Sequence, residues 1–257
     1  MIFSTSFWSL KFTYIPNFHA TSANSPNLYL SGGAISHAVK VLRERLTWNV
    51  FIAHADAHMN INNWTPNQTW STFGRIFTSQ RVIEQKPNGI YLIPFFSGRE
   101  TSGHWHLIVI EKRRHFCEGW HIDSLGRGTE DRALQDKLQQ AFLPGRGRFV
   151  WHFPDSTSQT ECECGPRTIV AMDRIDKNIA MGRTTAIAID EALLSHISEG
   201  EYNNKAIRLE AALLLETQVR NSNPRLRRPA VREPAQKKRR IRGTVKATPE
   251  VIELSQT

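Results

Sequence analysis

The sequence predicts an α+β fold in which a small, mainly antiparallel sheet packs against helices. Three observations carry this. The apolar run His106 to Ile110 and its successor Cys117 to Ile122 are separated by the charged, turn-like stretch Glu111 to His115. That is the pattern of a hairpin whose strands are buried. After Cys164, the residues Ile169, Met172, Ile175 and Ile179 recur at helical spacing and present an apolar stripe to a core. Finally, the 257-residue chain is 40% hydrophobic and 22% charged, which suffices for one domain of ordinary size.

In chain order, residues 1–26 are aromatic-rich and irregular and are expected to form a poorly ordered arm. Ile35, Ala38, Val39 and Leu42 follow Gly32-Gly33 at helical spacing. Trp48 to Ala53 reads as a short strand, and 54–88 is polar and weakly periodic, with helix expected over Thr72 to Ile83. Ile90 to Phe95 is a strand with Pro94 at its end. The hairpin follows. Asp131 to Phe142 is a helix closed by Pro144-Gly145, Phe149 to Phe153 a strand, and Ile187 to Ile197 and Lys205 to Val219 further helices ended by Asn223-Pro224. The expected domain therefore covers 27–222, and 223–257 is a basic tail expected to be disordered.

The formal net charge of +9 is concentrated in that tail. Nine basic residues from Arg225 to Arg242 face the single acid Glu233, so the domain itself is close to neutral. The cluster Lys237-Lys238-Arg239-Arg240 is consistent with nuclear import or a weak contact to nucleic-acid phosphates. It lacks interleaved aromatics, so base stacking is not suggested. Cys117, Cys162 and Cys164 are odd in number and make no disulfide framework, which favours a reducing compartment. No apolar run reaches the roughly 18 residues of a membrane span. The first residues lack a basic n-region and are broken by Lys11 and Pro16, unlike a signal peptide.

Chemistry concentrates between residues 104 and 165. Cys164 stands where a loop becomes a helix, with Gly165 permitting close approach and Pro166 suited to a first helical turn. A thiol at a helix N-terminus has its nucleophilic thiolate form favoured by the dipole. A buried structural cysteine is the bland alternative. Cys162 is a rival but lacks the glycine and the helix start. In the hairpin, one register sets His104 opposite Asp123, with Cβ atoms about 5 Å apart. A register shifted by two residues sets His106 there instead and keeps the same faces inward. Both histidines stand as candidate bases. Gln159, five residues before Cys164, could donate to an oxyanion together with the Cys164 N–H. A base, an orienting acid, a nucleophile and an oxyanion donor are the four parts of a thiol hydrolase. His54 and His58 have the i, i+4 spacing of a metal-binding helix, but no general base accompanies them; Cys162-Glu163-Cys164 has no second pair. No metal or cofactor is expected.

The stretches Asn88-Gly89-Ile90-Tyr91-Leu92-Ile93-Pro94, His104-Trp105-His106-Leu107-Ile108-Val109-Ile110, His121-Ile122-Asp123-Ser124-Leu125 and Gln159 with Cys164-Gly165 resemble the ubiquitin-like-protein-specific (SUMO) protease family of cysteine proteases. The adenovirus protease is a distant relative of that family. The resemblance covers about residues 27 to 180. It implies a papain-like cysteine protease core with the nucleophile at the N-terminus of a central helix. It makes His104 the base, Asp123 the orienting acid, Cys164 the nucleophile and Gln159 the oxyanion donor. Trp105 and Tyr29 would wall a channel for a glycine-glycine tail, and Gly165 would border it. Tyr29 replaces the family's tryptophan, Gly32-Gly33 fall where a substrate-contacting acid is expected, and Ser158 holds the family's usual glutamine position. The implied activity is cleavage after the glycine-rich C-terminus of a ubiquitin-like modifier, through a thioester; the basic tail makes the nucleus, or nucleus and cytoplasm, the expected location. Alternatives are a mobile-element or virus-like polyprotein protease, or an inactive relative that binds a modifier or nucleic acid. Effector-type acetyltransferases share the His, acid, Cys order, but the His-Trp and Ile-Asp-Ser signatures argue against them.

Overall fold

The structure, a computed structural model, describes residues 32–98, 103–125, 131–145, 147–154, 163–197 and 206–215. The N-terminal arm with Tyr29, the loop with Gln159 and Cys162, and the basic tail lie outside the described residues.

Helix α1 (Gly32–Arg43) leads to β1 (Val50–Ile52). Short helices α2 (Ala57–Asn63), α3 (Trp70–Phe73) and α4 (Gln80–Gln85), with a 3₁₀ turn at Gly74–Phe77, fill the stretch before β2 (Gly89–Ser97). Then come β3 (His104–Lys112), β4 (Phe116–Ile122), α5 (Arg132–Phe142), β5 (Arg148–His152), α6 (Cys164–Ala180) and α7 (Thr185–Ile197). Residues 206–215 are helical again. The strands lie in the order β1-β2-β3-β4-β5. The long central ladders β2–β3 and β3–β4 are antiparallel, and the short outer strands β1 and β5 are parallel to their neighbours.

Both sheet faces are covered, which is why the central strands read as continuous apolar runs instead of alternating ones. On one face Leu92, Trp105, Leu107, Val109, Trp120 and Ile122 pack against α1, α6, α7 and 206–215. On the other, Tyr91, Ile93, Phe95, Ile108 and Ile110 meet the short helices and α5. Helix α6 is the central one. Its Ile169, Val170, Met172 and Ile175 are fully buried, each worth roughly 1.5–3 kcal/mol of transfer free energy. Buried acids on the same helix hold the α1–β1 connection, since Arg45 bonds Asp173 and the Thr47 N–H donates to Asp176 Oδ1 at 3.0 Å.

Strand β2 runs on through Pro94 to Ser97, beyond the end expected at the proline. Pairing with β1 stops at Ile52–Leu92, so at Pro94 the side facing away from β3 has no strand partner there and a missing N–H costs no ladder bond. Helix was expected over Thr72 to Ile83. The structure places there the end of α3, the 3₁₀ turn and the start of α4, separated by Thr78 at φ 55°. The helix expected over Asp131 to Phe142 begins at Arg132, because Asp131 is the N-cap and its carboxylate accepts the Leu134 N–H at 3.2 Å.

Candidate active site

Three elements deliver one side chain each to the end of the sheet. His104 is the first residue of β3, Asp123 follows the last residue of β4, and Cys164 opens α6. His104 Nε2 lies 2.6 Å from Asp123 Oδ1. The same oxygen accepts the Leu125 N–H at 2.9 Å, a local turn that fixes the carboxylate. The His104 ring also hydrogen-bonds the Cys164 side chain. With Nε2 committed to Asp123, Nδ1 is the nitrogen left for the thiol. The three residues named from sequence thus form one chain: carboxylate, imidazole, sulfur.

Electrostatics follow from this geometry. Burial pulls the His104 imidazolium down, but its hydrogen bonds to Asp123 and Cys164 outweigh that and lift its pKa to about 9. Burial pushes the Asp123 carboxyl up, and the bond to His104, the nearby His106 and the Leu125 N–H together hold it well below the usual carboxylate range. His104 is therefore an imidazolium at neutral pH, the form that stabilises an adjacent thiolate.

The rival base, His106, is committed elsewhere. Its Nε2 meets Ser97 Oγ at 2.6 Å and its Nδ1 meets His121 Nε2 at 3.0 Å. Burial takes its pKa down to about 3, so it is neutral. Nδ1 stands 3.7 Å from Asp123 Oδ2, and the ring packs edge-on against His104 with centroids 4.6 Å apart. His106 buttresses the dyad from behind.

Trp105 points to the opposite sheet face and is 5% exposed, with its ring centroid 5.0 Å from that of Phe96. Gly165 is buried in the first turn of α6. His54 Nε2 meets the Arg75 carbonyl at 2.9 Å and His58 Nδ1 the Ala55 carbonyl at 3.1 Å. That i, i+4 pair converges on backbone oxygens and not on a common point. Among the described residues, the side chains that could together hold a metal ion are His104, His106 and Asp123; two of them are bonded to each other in the dyad, and His106 is bonded to Ser97 and His121.

Sequence reading missed Ser97, His121, Glu163 and Arg208. His121 was within reach of it, because it lies two residues before Asp123 and so shares its face. Ser97 is paired across the ladder with His104, a relation that depends on the register. Arg208 carries no local signal at all.

No family model and no curated protein matches the chain. Solved structures do. SUMO protease Ulp1 with its catalytic cysteine oxidised to a sulfonic acid is similar at 14% identity and a TM-score of 0.48, over 76% of this chain and 81% of that one. The C-terminal Ulp1 protease domain in complex with Smt3, the yeast orthologue of SUMO, is similar at 15% identity and 0.47, over 78% and 82%. The Legionella pneumophila effector RavZ, in complex with human LC3B, is similar at 11% identity and 0.37, over 88% and 73%. The described residues form a mixed α+β domain in which Cys164 opens the central helix.

Proposed function

We propose that this chain is a cysteine protease that cleaves the peptide or isopeptide bond after the glycine-rich C-terminus of a ubiquitin-like modifier of the SUMO type. The observation that carries the reading is the His104 ring bonded both to Asp123 and to the side chain of Cys164 at the start of a 17-residue helix.

The chemistry follows from the charges. The Cys164 thiolate attacks the scissile carbonyl carbon and forms the C–S bond, while the carbonyl electron pair moves to oxygen. N–H groups at the start of α6 face that oxyanion, with a further donor assigned to Gln159 by the sequence. Collapse expels the amine, which takes the proton from His104 Nδ1. The neutral imidazole, steadied by Asp123, then removes a proton from water. The hydroxide attacks the thioester and releases the modifier carboxylate and the thiolate.

The His-Trp, Ile-Asp-Ser and Cys-Gly motifs favour this substrate class over other acyl groups. Trp105, Tyr29 and Gly165 are assigned to the channel for the glycine tail. The Lys237-Lys238-Arg239-Arg240 cluster supports action in the nucleus and a weak nucleic-acid contact. The test is covalent labelling by a panel of electrophilic probes built on modifier C-termini. Labelling by a SUMO-type probe, lost in Cys164→Ala and kept in Cys162→Ala, is expected. A labelled wild type that accepts only unrelated peptide probes would point to a polyprotein substrate. An unlabelled chain with tight, salt-sensitive nucleic-acid binding would make it a binding module.

A further inference from the structure

The residue immediately before the nucleophile is a buried acid. Glu163 is 1% exposed, and its Oε1 accepts from Arg208 Nε at 2.8 Å. Its Oε2 is buried without a hydrogen-bond partner among the described residues. Arg208 is itself 5% exposed and lies 45 residues downstream, in the helical segment 206–215. That segment is bound to α6 a second time, by paired bonds from Arg174 to Glu210. Its Ile207, Ala211 and Leu215 enter the same core cluster as Cys164 and Ile169. A carboxylate adjacent in sequence to a thiolate opposes its charge, and a buried carboxylate left alone is costly.

We propose that Arg208 is a positioning residue for the catalytic cysteine, acting through Glu163 to cancel a like charge beside the thiolate and to pin the first turn of α6. The idea rests on Cys164 being the nucleophile. The segment 206–215 then belongs to the catalytic machinery although it touches no reacting atom. Charged groups around the thiol are distributed over several elements. His104 faces it from β3, with Asp123 behind; Glu163 is the N-cap of its helix and Arg167 lies in the first turns of that helix, and Arg208 comes from the C-terminal segment. His37 of α1 faces Leu215, two helical turns from Arg208.

The experiment measures the rate of iodoacetamide alkylation of Cys164 against pH in the full chain, resolved by peptide mass spectrometry, with thermal melts in parallel. Arg208→Ala should raise the alkylation midpoint by about one pH unit. Glu163→Gln should lower it, and Glu163→Gln with Arg208→Ala should return it toward wild type. Arg208→Lys keeps the charge and should leave the midpoint near wild type while lowering the melting temperature. If Arg208→Ala does not fold, the sign of the shift in Glu163→Gln decides. Midpoints unmoved in folded Arg208→Ala and Glu163→Gln, whatever their melting temperatures, would overturn the proposal. A wild-type Cys164 alkylated no faster than a free cysteine below pH 7 would instead overturn the catalytic reading on which it stands.

Discussion

His104 reaches Asp123 across the diagonal of the β3–β4 hairpin. The ladder pairs Leu107 with Ile122, so continuing it by one residue sets His106, not His104, opposite Asp123. Yet His104 Nε2 is 2.6 Å from the carboxylate and His106 Nδ1 is 3.7 Å from it. Diagonal neighbours across a sheet are about 7–8 Å apart at Cα, within reach of a long ring and a flexible acid. Ser97 and His121 hold the directly opposed histidine back, and the end-of-strand ring is left to turn toward both Asp123 and Cys164.

This separates the two histidines in kinetics. His104→Ala should cut kcat/KM by roughly 10³–10⁴-fold with little change in thermal stability. His106→Ala should keep most of the activity of the folded fraction but lower stability by about 1–3 kcal/mol, since Ser97 and His121 lose a buried partner. Steady-state kinetics on a modifier C-terminal substrate, beside thermal melts, reads both. Equal rate losses would mean that the ring bonded to Asp123 is not the base.

The same bond gives a pH signature with a definite sign. The folded pKa of His104, about 9, lies above its ordinary 6.5. Its contribution to stability is complete below pH 6.5 and is lost as pH rises through 9. For Asp123 the folded value is depressed, so its contribution is present above its ordinary 3.8 and lost as pH falls below that. Denaturant titrations should therefore show wild-type stability falling between pH 7 and 9, and this slope should be shallower in His104→Ala. Both residues report one shared interaction, so the two contributions do not add.

Much of this site was legible in sequence because chemistry and periodicity coincide there. The runs after His104 and before Asp123 announce two strands, and the stripe from Ile169 to Ile175 announces the helix that Cys164 opens. The register was not legible, since a two-residue slip leaves every face unchanged. Stretch 54–88 hid its helices because pieces of four to seven residues, such as Trp70–Phe73 and Ala57–Asn63, are too short to display a helical period. Arg208 and Glu163 are partners only through tertiary packing.

Cysteine reactivity should divide sharply. Cys117 is fully buried, and burial pushes its thiol up to about 11 against the pull of Lys112 and Lys86. Cys164 is also buried, at 2% exposed, so the division rests on its contact with the His104 imidazolium: brief iodoacetamide treatment of the native chain at pH 7 should modify Cys164 and spare Cys117. Denaturation should expose Cys117 to the reagent. Cys117→Ala should keep probe labelling at the wild-type rate, and loss of labelling in that variant would place the reactive sulfur elsewhere.

Trp105 has two assignments that one pair of variants can divide. It is buried in the α6-side core against Phe96, and the resemblance to the SUMO proteases implies a place for it in the wall of a glycine channel. Trp105→Ala should cost roughly 3–5 kcal/mol, as expected for removing a large buried ring. Trp105→Phe keeps an aromatic plane beside Phe96 and should cost much less. If the indole also lines the channel, folded Trp105→Phe should raise KM several-fold with kcat nearly unchanged, the mark of lost uniform binding. An unchanged KM in that variant would confine Trp105 to packing and move the channel wall to another side chain.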